Sequence, residues 1–510
     1  MKTLPQRIRN CFEDQQIRLF FVLFGVALLA RGGMFLRGFA VDDYSYGRGF
    51  SDFDRELIQT QGRFLLVALA SAIDSLGVNL NDIYWSLAGV SLALQVALVM
   101  SVLRFAGIIN RTGVGLAAAL MVAHPYLAEI LTFRMVLPGY CLAALLTIIA
   151  MEVLQNPRAG RYARFIISVI ATVAMLFIYQ GFLNYLAVAL VFALLHDSLS
   201  KDAAATTART LTAGQQRAVE LLLVCIASAF GFLTIMTGLK HFDVIELTGR
   251  AKLVQFNEIP ERILQFRELL FKVYWRAEPV AAQWPKLLIA CMMAVSIVVI
   301  FIEGIRAPSS LRRKVILLGA LVALMPLTAG VILLFRDWWP VPRVLVQASL
   351  IIGFVVLLGW SLLRERFPRM PSAFFTVPVL VLTVSFIFKN NQIFADQQRL
   401  NSWDAMKVNR IVDRLEKNPA FDQVKTVFIS GGKWAYPARL STIQGDLNIS
   451  ALYPGYTKLP LFIEVSGYNF KPAAGEQKTE GEQICKQVAP WPSAESVTVI
   501  GSLAIVCLGN

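Results

Sequence analysis

Eleven stretches of this chain are apolar over about 17 to 25 residues, the length that crosses a bilayer, and no other feature restricts its fold as much. They fall near 18–36, 83–103, 113–131, 137–154, 165–179, 182–196, 218–238, 286–305, 315–335, 344–363 and 372–389. A lipid environment leaves no water for an open sheet edge, so each is expected to be a helix. Composition agrees: 56% of the residues are hydrophobic and only 16% are charged, against about 25% charged in soluble proteins. The net charge of +14 is spread in short clusters between the apolar runs. That is the pattern of cytoplasmic loops and not of a nucleic-acid surface.

Lys and Arg fall in every second gap: Arg7, Arg9 and Arg18; Arg104 and Arg111; Arg158, Arg161 and Arg164; Lys201, Arg209 and Arg217; Arg306, Arg312 and Arg313; Arg364, Arg366 and Arg369. The N-terminus is therefore expected inside, as an uncleaved first span, and the C-terminal region outside. The segment Gly62 to Leu76 is apolar but short, and Asp74 interrupts it. Counting it as a span would upset the alternation, so it is read as a helix at the outer interface within one loop, 37–82. A second outer loop covers 239–284. From about 391 onward an amphipathic helix leads to strand candidates at 425–432, 496–500 and 503–508, which together suggest a small α/β domain.

Of the six cysteines, Cys11 would be cytoplasmic and Cys141, Cys225 and Cys291 lie in spans. Cys485 and Cys507 share the outer region, where pairing as a disulfide is favoured over two buried thiols. No zinc-type Cys/His spacing, phosphate-binding glycine loop or nucleophile elbow is present, which argues against ATP-driven transport and serine hydrolysis.

The outer gaps hold the polar residues with chemistry to offer. Asp42 and Asp43 stand directly after the first span. Acids at a bilayer surface are functional candidates, with a helix cap or an ion pair to Arg48 or Arg63 as the plain alternative. Neighbours in sequence point apart, so one is expected to act as a general base and the other to support it, with Asp43 the first choice for the base. Arg63, Arg134, Arg336 and Arg343 run against the inside-positive bias and are candidates to grip a phosphate; headgroup contact or a salt bridge is their alternative. Tyr44, Trp338 and Trp339 are candidates to stack on a sugar, or members of an interfacial aromatic belt.

The layout resembles the membrane-embedded GT-C glycosyltransferases. More narrowly, Asp42-Asp43-Tyr44-Ser45, Gly62-Arg63, Tyr179-Gln180, Pro342-Arg343-Val344-Leu345 and the ending Ile505-Val506-Cys507-Leu508 look like the bacterial O-antigen glucosyltransferases of the Gtr type II family. The resemblance implies transfer of glucose from undecaprenyl-phosphate-glucose to an O-antigen (lipopolysaccharide) acceptor sugar at the periplasmic face of the inner membrane. It implies a catalytic GT-C-like domain over 1–390 and a periplasmic domain over 391–510, with a flippase and a lipid-glucose synthase as partners. No cofactor is certain, and a divalent cation is an open possibility. A polytopic transporter or flippase for lipid-linked sugars is the competing reading; it requires neither an outer carboxylate pair nor a folded outer domain.

Overall fold

The computed structural model describes residues 14–36, 38–46, 52–80, 82–109, 113–200, 211–246, 248, 252–307, 310–437, 440, 442 and 445–509. Arg7, Arg9, Cys11, Arg48, Arg111, Lys201 and Arg209 lie outside them. Among the described residues nine helices are long and apolar enough to cross a membrane: Gln15–Phe35, Tyr84–Phe105, Arg134–Gln155, Gln180–Leu199, Ala213–His241, Gln283–Arg306, Leu311–Leu333, Gln347–Arg366 and Ala373–Glu416.

The bent pair Val114–Ala123 and Tyr126–Thr132, with 52° between its halves, makes a tenth if its two parts are one span. The break has a local cause. Pro125 disfavours helical backbone at the residue before it, and His124 is extended at φ −59°, ψ 134°. The segment expected to span near 165–179 forms Arg161–Leu176, a 16-residue helix shorter than the usual crossing length. Eleven apolar runs thus become nine or ten crossings by length, with this shorter helix beside them.

Phe64–Ser75 is a helix of 12 residues, about 18 Å at 1.5 Å per residue and too short to cross. The turn that leads into it needs a glycine. Gly62 has φ +78°, and a Cβ there would lie 3.0 Å from Met236 and 3.2 Å from Phe232 of the helix Ala213–His241.

The last membrane helix does not stop at the membrane. Ala373–Glu416 runs 44 residues without a break, about 66 Å, roughly twice the hydrocarbon thickness. Its far half carries a buried stripe, Val408, Ile411, Val412 and Leu415, at the spacing of one helical face. That stripe packs on a four-stranded sheet of order β2-β1-β4-β3, with β1 at Thr426–Ser430, β2 at Lys471–Pro472, β3 at Val497–Ile500 and β4 at Leu503–Cys507. Strand β1 pairs in parallel with β2 and with β4, while β3 pairs antiparallel with β4.

Every residue of β4 is buried, as a strand covered on both faces must be. Ala504 and Val506 face the long helix and the helix Gly455–Ser466. Leu503, Ile505 and Cys507 face the helix Glu476–Gln487. Cys485 of that helix is joined to Cys507 by a disulfide. Phe39, Val41 and Tyr44 of the first loop belong to the same hydrophobic cluster as Ala504 and Val506. The segment after the first membrane helix is therefore wedged into this terminal fold.

Candidate active site

Asp42 and Asp43 part company at once. Asp43 opens a short helix, Asp43–Tyr46, and its carboxylate turns back into the protein. It accepts from the Ala40 backbone N–H at 3.0 Å and the Met135 N–H at 3.3 Å, fastening the first loop to the turn after the bent helix pair. Only 1% of it is exposed. Burial pushes its carboxyl up to about 7, while neighbouring Arg134 and the backbone N–H groups pull it down. Asp42 points the other way. It lines a cavity of about 490 Å³ and accepts a hydrogen bond from the Tyr456 hydroxyl at 2.6 Å.

The cavity collects residues from five gaps between membrane helices, all at one end of the bundle, and from the terminal fold. Arg63 stands on its wall with its guanidinium 4.9 Å from the centre of the Tyr179 ring. Gln180 donates to the Gln61 carbonyl at 3.1 Å. Gln61, Tyr179 and Gln180 all reach the same space. Thr248 of the second loop joins it and holds the first loop through Thr248 N–H to Thr60 O at 3.1 Å.

Arg343 enters from a 3₁₀ turn, Pro342–Val344, with its orientation strongly constrained. Its Nη1 meets Glu129 Oε1 at 2.6 Å and its backbone N–H donates to Glu129 Oε2 at 2.9 Å. Its guanidinium also lies 5.0 Å from the Phe133 ring centre. Asp337 and Trp339 complete the polar wall. The terminal fold contributes Ile449 and Tyr456.

Not every candidate reaches this space. Arg134 is buried between the Phe39 and Tyr84 rings, 4.3 and 4.2 Å from their centres, and its Nε donates to the Gly38 carbonyl at 3.0 Å. It serves Asp43 from behind and does not line the cavity. Arg336 is engaged by Glu258 at 2.9 Å, outside the cavity. Tyr44 is 6% exposed and stacked on Phe39 at 4.9 Å, inside the terminal fold's core and not on a sugar-facing surface. Trp338 lies under the Arg262 guanidinium at 4.7 Å. Of the sequence candidates, Asp42, Arg63, Arg343 and Trp339 share the cavity.

Two participants escaped sequence reasoning. Glu129 is an acid within an apolar run, a signal that was there to be read. Tyr456 gave no local sign, because it meets Asp42 from 414 positions away.

A second cavity of about 560 Å³, lined by Val280, Trp284, Leu380, Val384 and Phe388, is mostly apolar, with Lys389 among its polar members. It lacks the first cavity's combination of carboxylates and arginines, so chemistry and not volume selects the site. Among the described residues no three His, Cys, Asp or Glu side chains gather as a metal-binding group.

The arrangement offers a carboxylate held by a hydroxyl, two arginines and an exposed aromatic around a space of small-ligand size. Such a set suits a proton acceptor facing an anionic leaving group. The model of a family described as Glucosyl transferase GtrII matches residues 42–359, well over half of the chain. The match opens on Asp42 and ends before the terminal fold. No curated protein and no solved structure matches.

Proposed function

Because the chain belongs to the GtrII glucosyl transferase family, we propose that it takes glucose from undecaprenyl-phosphate-glucose and adds it to a sugar of the O-antigen. The reaction takes place at the periplasmic face of a bacterial inner membrane. The cavity that unites Asp42 with Arg63 and Arg343 carries this reading. Glycosyl transfer from a lipid phosphate needs a base on one side of the anomeric carbon and cations on the other.

In the proposed step Asp42 removes the proton from an acceptor hydroxyl. The freed oxygen bonds to the anomeric carbon as the bond from that carbon to the phosphate oxygen breaks. The bonding pair leaves with the lipid phosphate, whose growing charge Arg343 and Arg63 offset. Trp339 offers a face for a sugar ring. Asp43 is assigned the supporting role. Its carboxyl is engaged by backbone N–H groups, so it fixes the loop that carries Asp42, and it is buried away from the cavity lining. This exchanges the roles first suggested by sequence, where Asp43 was the choice for base.

The periplasmic assignment draws on the charge alternation of the loops. It takes Arg161–Leu176 as an eleventh crossing, so that the N-terminus lies inside and the terminal fold outside. The terminal region, 391–510, is then a periplasmic domain carried on the long helix.

The test uses the full-length protein in liposomes, supplied with undecaprenyl-phosphate-glucose and with lipopolysaccharide from cells that lack this protein. Glucose bonded to the lipopolysaccharide is the expected product. Movement of the intact lipid-linked sugar across the vesicle, with no transfer, would instead support the flippase reading. Arg343→Ala should raise the donor KM; an unchanged KM would remove Arg343 from the donor site.

A further inference from the structure

We infer that Tyr456 is a positioning residue for the transfer reaction, and that the terminal fold completes the active site by presenting it to Asp42. The inference rests on the reading of Asp42 as the base. It reaches beyond the family-matched segment, 42–359, into a part of the chain to which no role has been assigned.

Tyr456 is the second residue of the helix Gly455–Ser466, and its support is rigid. The neighbouring Thr457 hydroxyl donates to the Ala451 carbonyl at 2.7 Å, and Lys458 donates to the Gly431 carbonyl. One turn further on, Leu461 and Phe462 are fully buried in the terminal core. The ring itself is 41% exposed, so its position is not dictated by packing alone. It lies along the cavity wall with its hydroxyl 2.6 Å from Asp42 Oδ1.

A phenol donating to a carboxylate does two things. It restricts the carboxylate's rotation, because Oδ1 is tied to the phenol. It also favours the ionised form, the one able to accept a proton. Asp43 is held by backbone N–H groups from its own loop and the next turn, so it needs no such partner. Asp42 takes one of its contacts from a residue near the other end of the chain.

The charged and titratable groups around Asp42 come from several elements. Asp43 adjoins it, with Arg134 behind. Arg63 and Tyr179 stand on one wall of the cavity, and Asp337 and Arg343 on another. All of them remain in Tyr456→Phe, which deletes one oxygen and keeps the ring. The pH response of that variant therefore isolates the hydroxyl.

The experiment measures glucose transfer by the full-length protein in liposomes, from undecaprenyl-phosphate-glucose to lipopolysaccharide of cells lacking the protein, across pH 5 to 9. Tyr456→Phe is expected to lower kcat roughly tenfold and to leave the donor KM within about twofold. Its low-pH limb of kcat/KM should move to higher pH by about one unit. Asp42→Asn is run beside it. If Asp42→Asn is inactive while Tyr456→Phe matches wild type in rate and pH profile, the role of Tyr456 is overturned and the base assignment stands. A fall in rate accompanied by lower thermal stability, with an unmoved pH limb, also overturns it, since that is what a purely structural tyrosine gives. Wild-type transfer by Asp42→Asn would remove the base assignment and this inference with it.

Discussion

Glu129 among the membrane helices and Asp404 in the terminal fold are buried acids held by different means. Glu129 of a membrane helix holds Arg343 at 2.6 Å; Glu278, in the second loop, holds Lys286 at 2.7 Å with both side chains 3% exposed and also accepts from the Tyr126 hydroxyl. In the terminal fold, buried Asp404 is met by neutral donors: the Tyr436 hydroxyl at 2.7 Å, the Ser450 hydroxyl at 2.6 Å and the Ala451 N–H at 2.8 Å. The reason lies in the surroundings. Between membrane helices the backbone is already paired with itself and offers an acid few donors. A loop wrapped on a helix has N–H groups and hydroxyls to spare. The Asp42-Asp43 pair lies on the seam between these regimes: Asp43 sits beside Arg134 and takes backbone donors, and Asp42 takes a hydroxyl from the terminal fold.

The comparison breaks most sharply if a bundle pair is split. Glu129→Ala leaves the Arg343 guanidinium, 13% exposed, without its acid, and should cost about 3–5 kcal/mol of stability. Transfer activity should fall with it, because Arg343 loses both its side-chain and backbone anchors. A melting temperature equal to wild type would show that the pair is not the local anchor described here.

The terminal fold should fail more gently. Cys485 and Cys507 enclose a sequence separation of 22 residues, and replacing both with Ser should cost about 2–4 kcal/mol. The loss should be confined to the terminal fold: limited proteolysis is expected to cut first within 476–509 and leave the membrane helices intact. Equal cleavage throughout the chain would mean that the two regions unfold together.

Asp43 supplies an effect that depends on pH. Its carboxyl stands near 7 in the folded protein and about 3.9 when unfolded. The folded state thus holds its proton more tightly. The stabilisation is complete below about pH 4 and is lost as pH rises toward 7; above that the contribution is flat. Asp43→Asn should remove this slope, on the order of a few degrees of melting temperature over the window. A variant that keeps the full wild-type slope would place its origin elsewhere.

Much of the bundle could be read from sequence, because hydropathy and loop charge act locally. Apolar run length located nearly all of the membrane helices, and Pro125 is the local cause of the break at His124. The arginines were harder. Arg63, Arg134, Arg336 and Arg343 share the same anomaly of charge, yet only Arg63 and Arg343 line the cavity. What divides them is their partners: aromatic rings for Arg134 and Glu258 for Arg336. Partners so distant in sequence leave no periodic trace. The terminal strands were visible as β-branched runs, whereas β2, two residues long, was not. Tyr44 read as an interfacial aromatic because nothing near it in sequence revealed the sheet core that buries it.

The division of labour within the Asp42-Asp43 pair is best tested by measuring glucose transfer for Asp42→Asn and Asp43→Asn side by side, at matched folded protein and at pH 8. Loss of the base should lower kcat by about 10²- to 10⁴-fold in Asp42→Asn. Asp43→Asn keeps one of the two oxygens that accept from Ala40 and Met135, so it should loosen the loop and still retain a substantial part of its activity. Near-normal transfer by Asp42→Asn together with an inactive, folded Asp43→Asn would contradict the assignment and return the base to the buried aspartate.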